Sequence, residues 1–180
     1  MLTAAAILEA VENGDIVIDD FSKERLNPNS YNLRLAPKLL RYTSHTLDMY
    51  ENNPVEEMTI GEHGLILRPG EFYLGSTIEG TYTPKHIPCI DGRSSIARLG
   101  IFVHVTAGFG DIGFDGRWTL EIIVAKPIVI YPGVEIAQIY FENPDGIILP
   151  DYVYHGKYQN SEDVTASKLY IERNKQDGEN

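Results

Sequence analysis

Two stretches of this chain hold residue types that hydrolytic chemistry uses. In GRSSIAR at 92–98, Arg93, Ser94, Ser95 and Arg98 place two guanidiniums and two hydroxyls within six residues of a glycine. Guanidiniums offer paired donors that match phosphate oxygens, and glycine lets a backbone come close. The same composition also suits a surface turn with a salt bridge. Glu121 lies in the β-prone run WTLEIIVA between Leu120 and Ile122. An acid there either faces solvent on an alternating strand or is held in a site, where a partly buried carboxylate can take and return protons. Between them, GFGDIGFDG at 108–116 carries four glycines and two aspartates, which by itself would equally suit a bulged hairpin.

The remaining residues outline the scaffold. A chain of 180 residues suits a single domain over 1–180, with 145–180 a polar C-terminal segment. Thr3 can cap a helix through AAAILEAVEN, with Ile7, Leu8 and Val11 on one face and Gly14 as its stop. Short β-prone runs follow: DIVIDDF, SYNLRLA, KLLRY, MTIG, GLILRPGEFYLGSTIEG, HIPCIDG, IFVHVTAG, WTLEIIVA, PIVIYPG and VEIAQIYF. Their even punctuation by Gly, Pro, Asn and Asp predicts an all-β barrel or double-sheet sandwich with a short N-terminal helix. Residues 45–58, with four acids and a proline, should form a loop or excursion. The end, ERNKQDGEN, can bury little, so that segment is frayed or ordered only against something else.

Composition narrows the partners. A formal net charge of −11 works against non-specific nucleic-acid binding. A small anionic substrate would need a local basic cluster and a divalent cation. No apolar run approaches the roughly 20 residues that span a bilayer, and MLTAAAILEAVENGD lacks the basic start of a signal peptide. One cysteine, Cys89, excludes an internal disulfide and fits a reducing, cytoplasmic setting.

Taken together, the stretches form an ordered pattern: G-R-S-S-[IL]-A-R-L-G, then H-x-T-A-G-x-x-D-x-G-F-x-G, then T-L-E. This resembles the dCTP deaminase family of the dUTPase-like superfamily. LNPNSYNLRLA, LRPGEFYLGSTIE, YPGVEIAQIYF and GKYQNSEDVTAS extend the resemblance over residues 1–167. It implies a distorted dUTPase-like barrel or jelly roll, assembled as a homotrimer with shared active sites. It also implies dCTP bound as a triphosphate with Mg²⁺, with dUTP and dTTP as further ligands, and no zinc. The residues agree on zinc: zinc deaminases need H-x-E and P-C-x-x-C, and no histidine here begins an H-x-E while one cysteine cannot build C-x-x-C.

The resemblance assigns roles residue by residue. Glu121 falls where the family's proton-transferring glutamate does. Ser94 and Arg98 match the groups that hold the attacking water, and the Ala107 carbonyl matches its backbone acceptor. Val105 and Thr106 would read the pyrimidine edge, and Asp111 corresponds to the acid near the deoxyribose 3′-hydroxyl. Arg93, Ser95, Ile96 and Ala97 would line the phosphates, with Thr119 and Leu120 beside the substrate. Gln138 fits a phosphate-side glutamine, and Tyr154 or Tyr152, Lys157 and Ser161 would close from the tail. His104 reads as a satisfied strand histidine. Four departures stand out: Asn32 replaces the family's usual Asp, Gly110 makes the Asp111 loop more flexible, and Ser161 and Asp163 replace a tail glutamine and glycine. The first reading is deamination of dCTP to dUTP. The close alternative is a bifunctional enzyme giving dUMP, ammonia and diphosphate, suggested by Thr106-Ala107-Gly108 and Gln138. A plain dUTPase, which lacks the T-L-E glutamate, and a non-catalytic nucleotide-binding protein are more distant.

Overall fold

The computed structural model describes residues 1–104 and 106–177. Helix α1 (Ala4–Glu12) begins where the Thr3 hydroxyl accepts the Ala6 amide at 3.4 Å, and the chain leaves it through Gly14 at φ 76°. Its Ile7 and Ala10 are buried, with Leu8 and Val11 half-buried. Ten strands follow among the described residues. They are β1 (Val17–Ile18), β2 (Tyr31–Tyr42), β3 (Val55–Thr59), β4 (Leu65–Leu67), β5 (Tyr73–Tyr82), β6 (Ile87–Gly92), β7 (Ile101–Val103), β8 (Asp115–Val124), β9 (Ile128–Ile130) and β10 (Glu135–Glu142). Two further helices are α2 (Ser94–Ala97) and α3 (Tyr170–Asp177).

The main sheet runs β6-β10-β2-β5-β8-β7, with β1 added to β5 and β3 to β2, while β4 and β9 form a separate pair. After β7 the chain returns along β6. Ile90 donates to the Gly108 carbonyl at 2.6 Å, Gly110 donates to Pro88 at 2.9 Å, and Cys89 bridges Phe109. The two end strands are thereby joined and the sheet becomes a nearly closed barrel, as the all-β reading expected. Leu33, Leu35, Leu39, Tyr73, Leu120, Ile122, Ile139 and Phe141 fill its core. Removing this apolar surface from water is the main force holding the strands.

Several local expectations change. SYNLRLA and KLLRY are one strand, β2, because Pro37 sits where the register against β5 skips and no ladder donor is needed. Residues 45–58 do form an excursion, but its end becomes β3 against β2. Gly110 does not loosen its loop: a Cβ there would lie 2.3 Å from the Trp118 ring, and one on Gly108 would lie 2.2 Å from the Ile90 oxygen. Both glycines permit close approach rather than movement.

The C-terminal segment is ordered against the barrel itself. Ser161 bridges Gly116 in parallel, Arg117 donates to the Ser161 carbonyl at 2.7 Å, and Val164 is buried with Leu40 and Leu74. Asp163, at the expected glycine position, meets Lys38 at 2.9 Å and accepts the Val164 amide at 2.7 Å. Burial alone would push the Asp163 carboxyl up, but Lys38, the Val164 amide and the charge of Arg117 hold it below the ordinary carboxylate range.

Candidate active site

Strand alternation builds the site. In β8, Trp118, Leu120, Ile122 and Val124 are buried, while Arg117, Thr119 and Glu121 share the opposite, half-buried face. That face borders a cavity of about 950 Å³. Ala107, Phe109 and Asp111 enter it from the glycine stretch, and Tyr154, Lys157 and Ser161 from the tail. Phe114 stacks at a tilt on Trp118 (4.7 Å between centroids) and edge-on to Tyr154 (5.7 Å). The Trp118 indole N–H is fixed on the Thr81 hydroxyl at 2.8 Å. These rings form an aromatic part of the cavity lining.

Glu121 is held at its backbone by the His104 amide, 3.0 Å from its carbonyl. Its Oε2 lies 3.3 Å from His104 Nδ1, close enough for charge contact, yet the two are misaligned and neither atom has a hydrogen-bond partner. His104 is therefore not the satisfied strand histidine expected. It sits just past β7 at φ 59°, 8% exposed, with its ring against Glu121. Glu121 Oε2 is thus a buried carboxylate oxygen with no fixed donor among the described residues.

The structure brings together Glu121, Ala107, Asp111, Thr119, Tyr154, Lys157 and Ser161. Tyr152, the alternative tail tyrosine, is 84% exposed and does not border the cavity. Lys157 is ion-paired with Glu172 of α3, which raises its pKa, first through their hydrogen bond. Arg93, Ser94, Ser95, Ile96, Ala97, Arg98 and Gln138 do not line this cavity. Ser94, Ser95 and Ala97 are exposed on α2 and Arg98 is exposed at its C-cap, while Ile96 packs into the core. Arg93 meets Glu135 at 3.0 Å, and Gln138 donates to the Gly92 carbonyl at 3.0 Å while accepting from Ser30 at 2.9 Å. Both brace the turn that carries α2. Asn32 belongs to the same network, donating to Glu135 at 2.9 Å and accepting from Asn27 at 2.8 Å. Leu120 is fully buried, Thr106 is exposed outside the cavity, and Val105 lies outside the described residues. Sequence reading missed Arg117, Phe114, Trp118 and Tyr158 as lining residues. Counting back from Glu121 in steps of two would have found Arg117.

Barrel and cavity define a class: an all-β protein with an acid- and aromatic-lined cleft of small-ligand size. The dCTP deaminase-like family profile matches residues 1–143, and the chain belongs to that family. A protein named dCTP deaminase, dUMP-forming, from Clostridium botulinum (strain Eklund 17B / Type B) is 56% identical over 156 residues, 87% of this chain and 89% of the relative. A protein of the same name from Leptospira biflexa (strain Patoc 1 / Ames) is 50% identical over 170 residues, 94% and 96% of the two chains. Among solved structures, the 2′-deoxycytidine 5′-triphosphate deaminase from Agrobacterium tumefaciens superposes with a TM-score of 0.62 at 22% identity. That match covers 82% of this chain and 49% of the other, so the chain spans about half its length and the likeness is one of fold.

Proposed function

We propose that the chain deaminates dCTP and carries the product on to dUMP, releasing ammonia and diphosphate. The observation that carries this reading is that Glu121 and Asp111 border one cavity, in a chain about half identical over most of its length to proteins named dUMP-forming. The bifunctional alternative thus takes precedence over release of dUTP. Water adds to C4 of cytosine as Glu121 takes its proton. The carboxylic acid then protonates N3 and assists the leaving ammonia, so that dCTP and water give dUTP and ammonia. Asp111 then takes a proton from a second water, whose oxygen bonds to the α-phosphorus as the bond from that phosphorus to the bridging oxygen breaks, giving dUMP and diphosphate.

Ser94 and Arg98 are assigned to the same site from a neighbouring copy in a homotrimer. Their exposure away from the cleft supports this, as does the apolar patch of Leu99, Phe102 and Ile123 beside them. Mg²⁺ is proposed to arrive with the triphosphate. On this proposal the ion would be held by phosphate oxygens and water. When bound, it screens phosphate charge and polarises the phosphoryl groups. The lone, buried Cys89 supports a zinc-independent hydrolase in a reducing cytoplasm. No helix among the described residues is long and apolar enough to cross a membrane.

Incubating the purified chain with dCTP and Mg²⁺ tests the reading. Equal amounts of ammonia, dUMP and diphosphate are expected. Accumulating dUTP would restore the plain deaminase, and no ammonia would sink both.

A further inference from the structure

We propose that Arg117 is a phosphate-recognition residue of this cleft, selecting a nucleoside triphosphate over nucleotides with fewer phosphates. This rests on the nucleotide reading above. Three basic side chains border the cavity: Arg117, His155 and Lys157. Lys157 is already held by Glu172, with its ammonium 5.5 Å from the Tyr158 ring centroid. The Arg117 guanidinium makes no hydrogen bond or ion pair among the described residues. Its backbone amide donates to Ser161, and its charge acts on the nearby Asp163 without closing an ion pair. Four other guanidiniums are paired with carboxylates, among them Arg34 with Glu79 at 2.6 Å, Arg41 with Glu56 and Arg93 with Glu135, and Arg117 is the one arginine among the described residues that line the cavity. In a chain with 26 acids against 15 Lys and Arg, a guanidinium that borders a cavity and closes no ion pair among the described residues is placed to meet an anion from outside.

Its position suits an anion. Arg117 lies on the same face of β8 as Glu121, four residues earlier, so about 13 Å separates their backbones at ~3.3 Å per residue. A base held at Glu121 extends its sugar and phosphates along the strand, past Thr119, toward Arg117. The hydroxyls of Ser161 and Thr165, 3.1 Å apart, stand at that end of the cavity. Guanidinium binds phosphate through two parallel donors, which an ammonium cannot reproduce. The bland role, a solvated charge that helps keep Asp163 ionised, needs the positive charge but not the fork.

Two measurements separate the possibilities. Calorimetric binding of inorganic triphosphate with Mg²⁺ reports on the anion subsite without any turnover, and steady-state kinetics with dCTP reports on the reaction. For Arg117→Gln, triphosphate binding should weaken about tenfold, as expected for one lost charge-assisted contact. KM for dCTP should rise to match, with kcat changed less than about twofold. Inhibition by dCMP should weaken much less, and Arg117→Lys should recover only part of the loss. Unchanged triphosphate binding would overturn the proposal, as would equal weakening for dCMP and dCTP, which marks a displaced tail. Failure of the wild-type chain to release ammonia from dCTP would instead remove the deaminase reading, with Arg117 still judged by the calorimetry.

Discussion

Along β8, Arg117, Thr119 and Glu121 face a cleft that the chain roofs with its own tail, through Tyr154, Lys157 and Ser161. On α2, by contrast, Ser94, Ser95 and Arg98 stand exposed, yet the turn beneath them is braced by Arg93–Glu135, Gln138–Gly92 and the Asn32 network. This polar bracing lies under side chains that are exposed and form no side-chain hydrogen bond or ion pair among the described residues. The two regions differ in kind: one is completed by the chain that bears it, and the other, on the reading proposed above, waits for a second copy.

The heaviest blow falls on the completed half. Glu121→Gln keeps side-chain shape but cannot exchange protons, so ammonia release should fall by ~10²–10⁴-fold or more while dCTP binding changes little. Near-normal release would remove Glu121 from the mechanism. Mixing then probes the other half. Ser94→Ala subunits should be nearly inactive alone, but co-assembled with Glu121→Gln subunits they should regain about a quarter of wild-type activity by random pairing in a closed ring. Mixtures no better than their components would place each site within one subunit.

A smaller effect is expected under α2. Asn32→Asp sets a carboxylate against Glu135 at a position 5% exposed. Stability should drop by about 1–3 kcal/mol, seen as a lower Tm, and Glu135→Gln in the same chain should recover it. A Tm unchanged by Asn32→Asp would mean that the network does not brace the turn. The mildest test concerns the tail. Asp163 is held below its ordinary value of 3.8, so its contribution is complete above that value and is lost as pH falls through the lowered one. Hydrogen exchange across 158–167 should therefore quicken below about pH 4 while the barrel stays protected, and Asp163→Asn should abolish that step.

Much of this was open to reading from residues. The turn punctuation and the Thr3 cap predicted the helix and the all-β body, and strand alternation around Glu121 described β8. Pairings between distant strands were not, because β4 choosing β9 depends on closure of the whole barrel rather than on local pattern. Gly110 was misread for the same reason: flexibility is a local property, whereas its contact with Trp118 exists only once both segments are folded. The tail was underestimated because its composition is polar, while its seat on β8 uses backbone groups that composition does not reveal.

That seat has a consequence for solubility. The first half of β8 pairs with β5 on one side, and β7 reaches only its second half, so the backbone at Gly116 and Arg117 would otherwise be an open strand edge. Such edges recruit foreign strands and seed aggregation. Ser161 occupies this one, so the segment that roofs the cleft also acts as a guard strand. A chain clipped before it would be prone to self-association as well as slow catalysis.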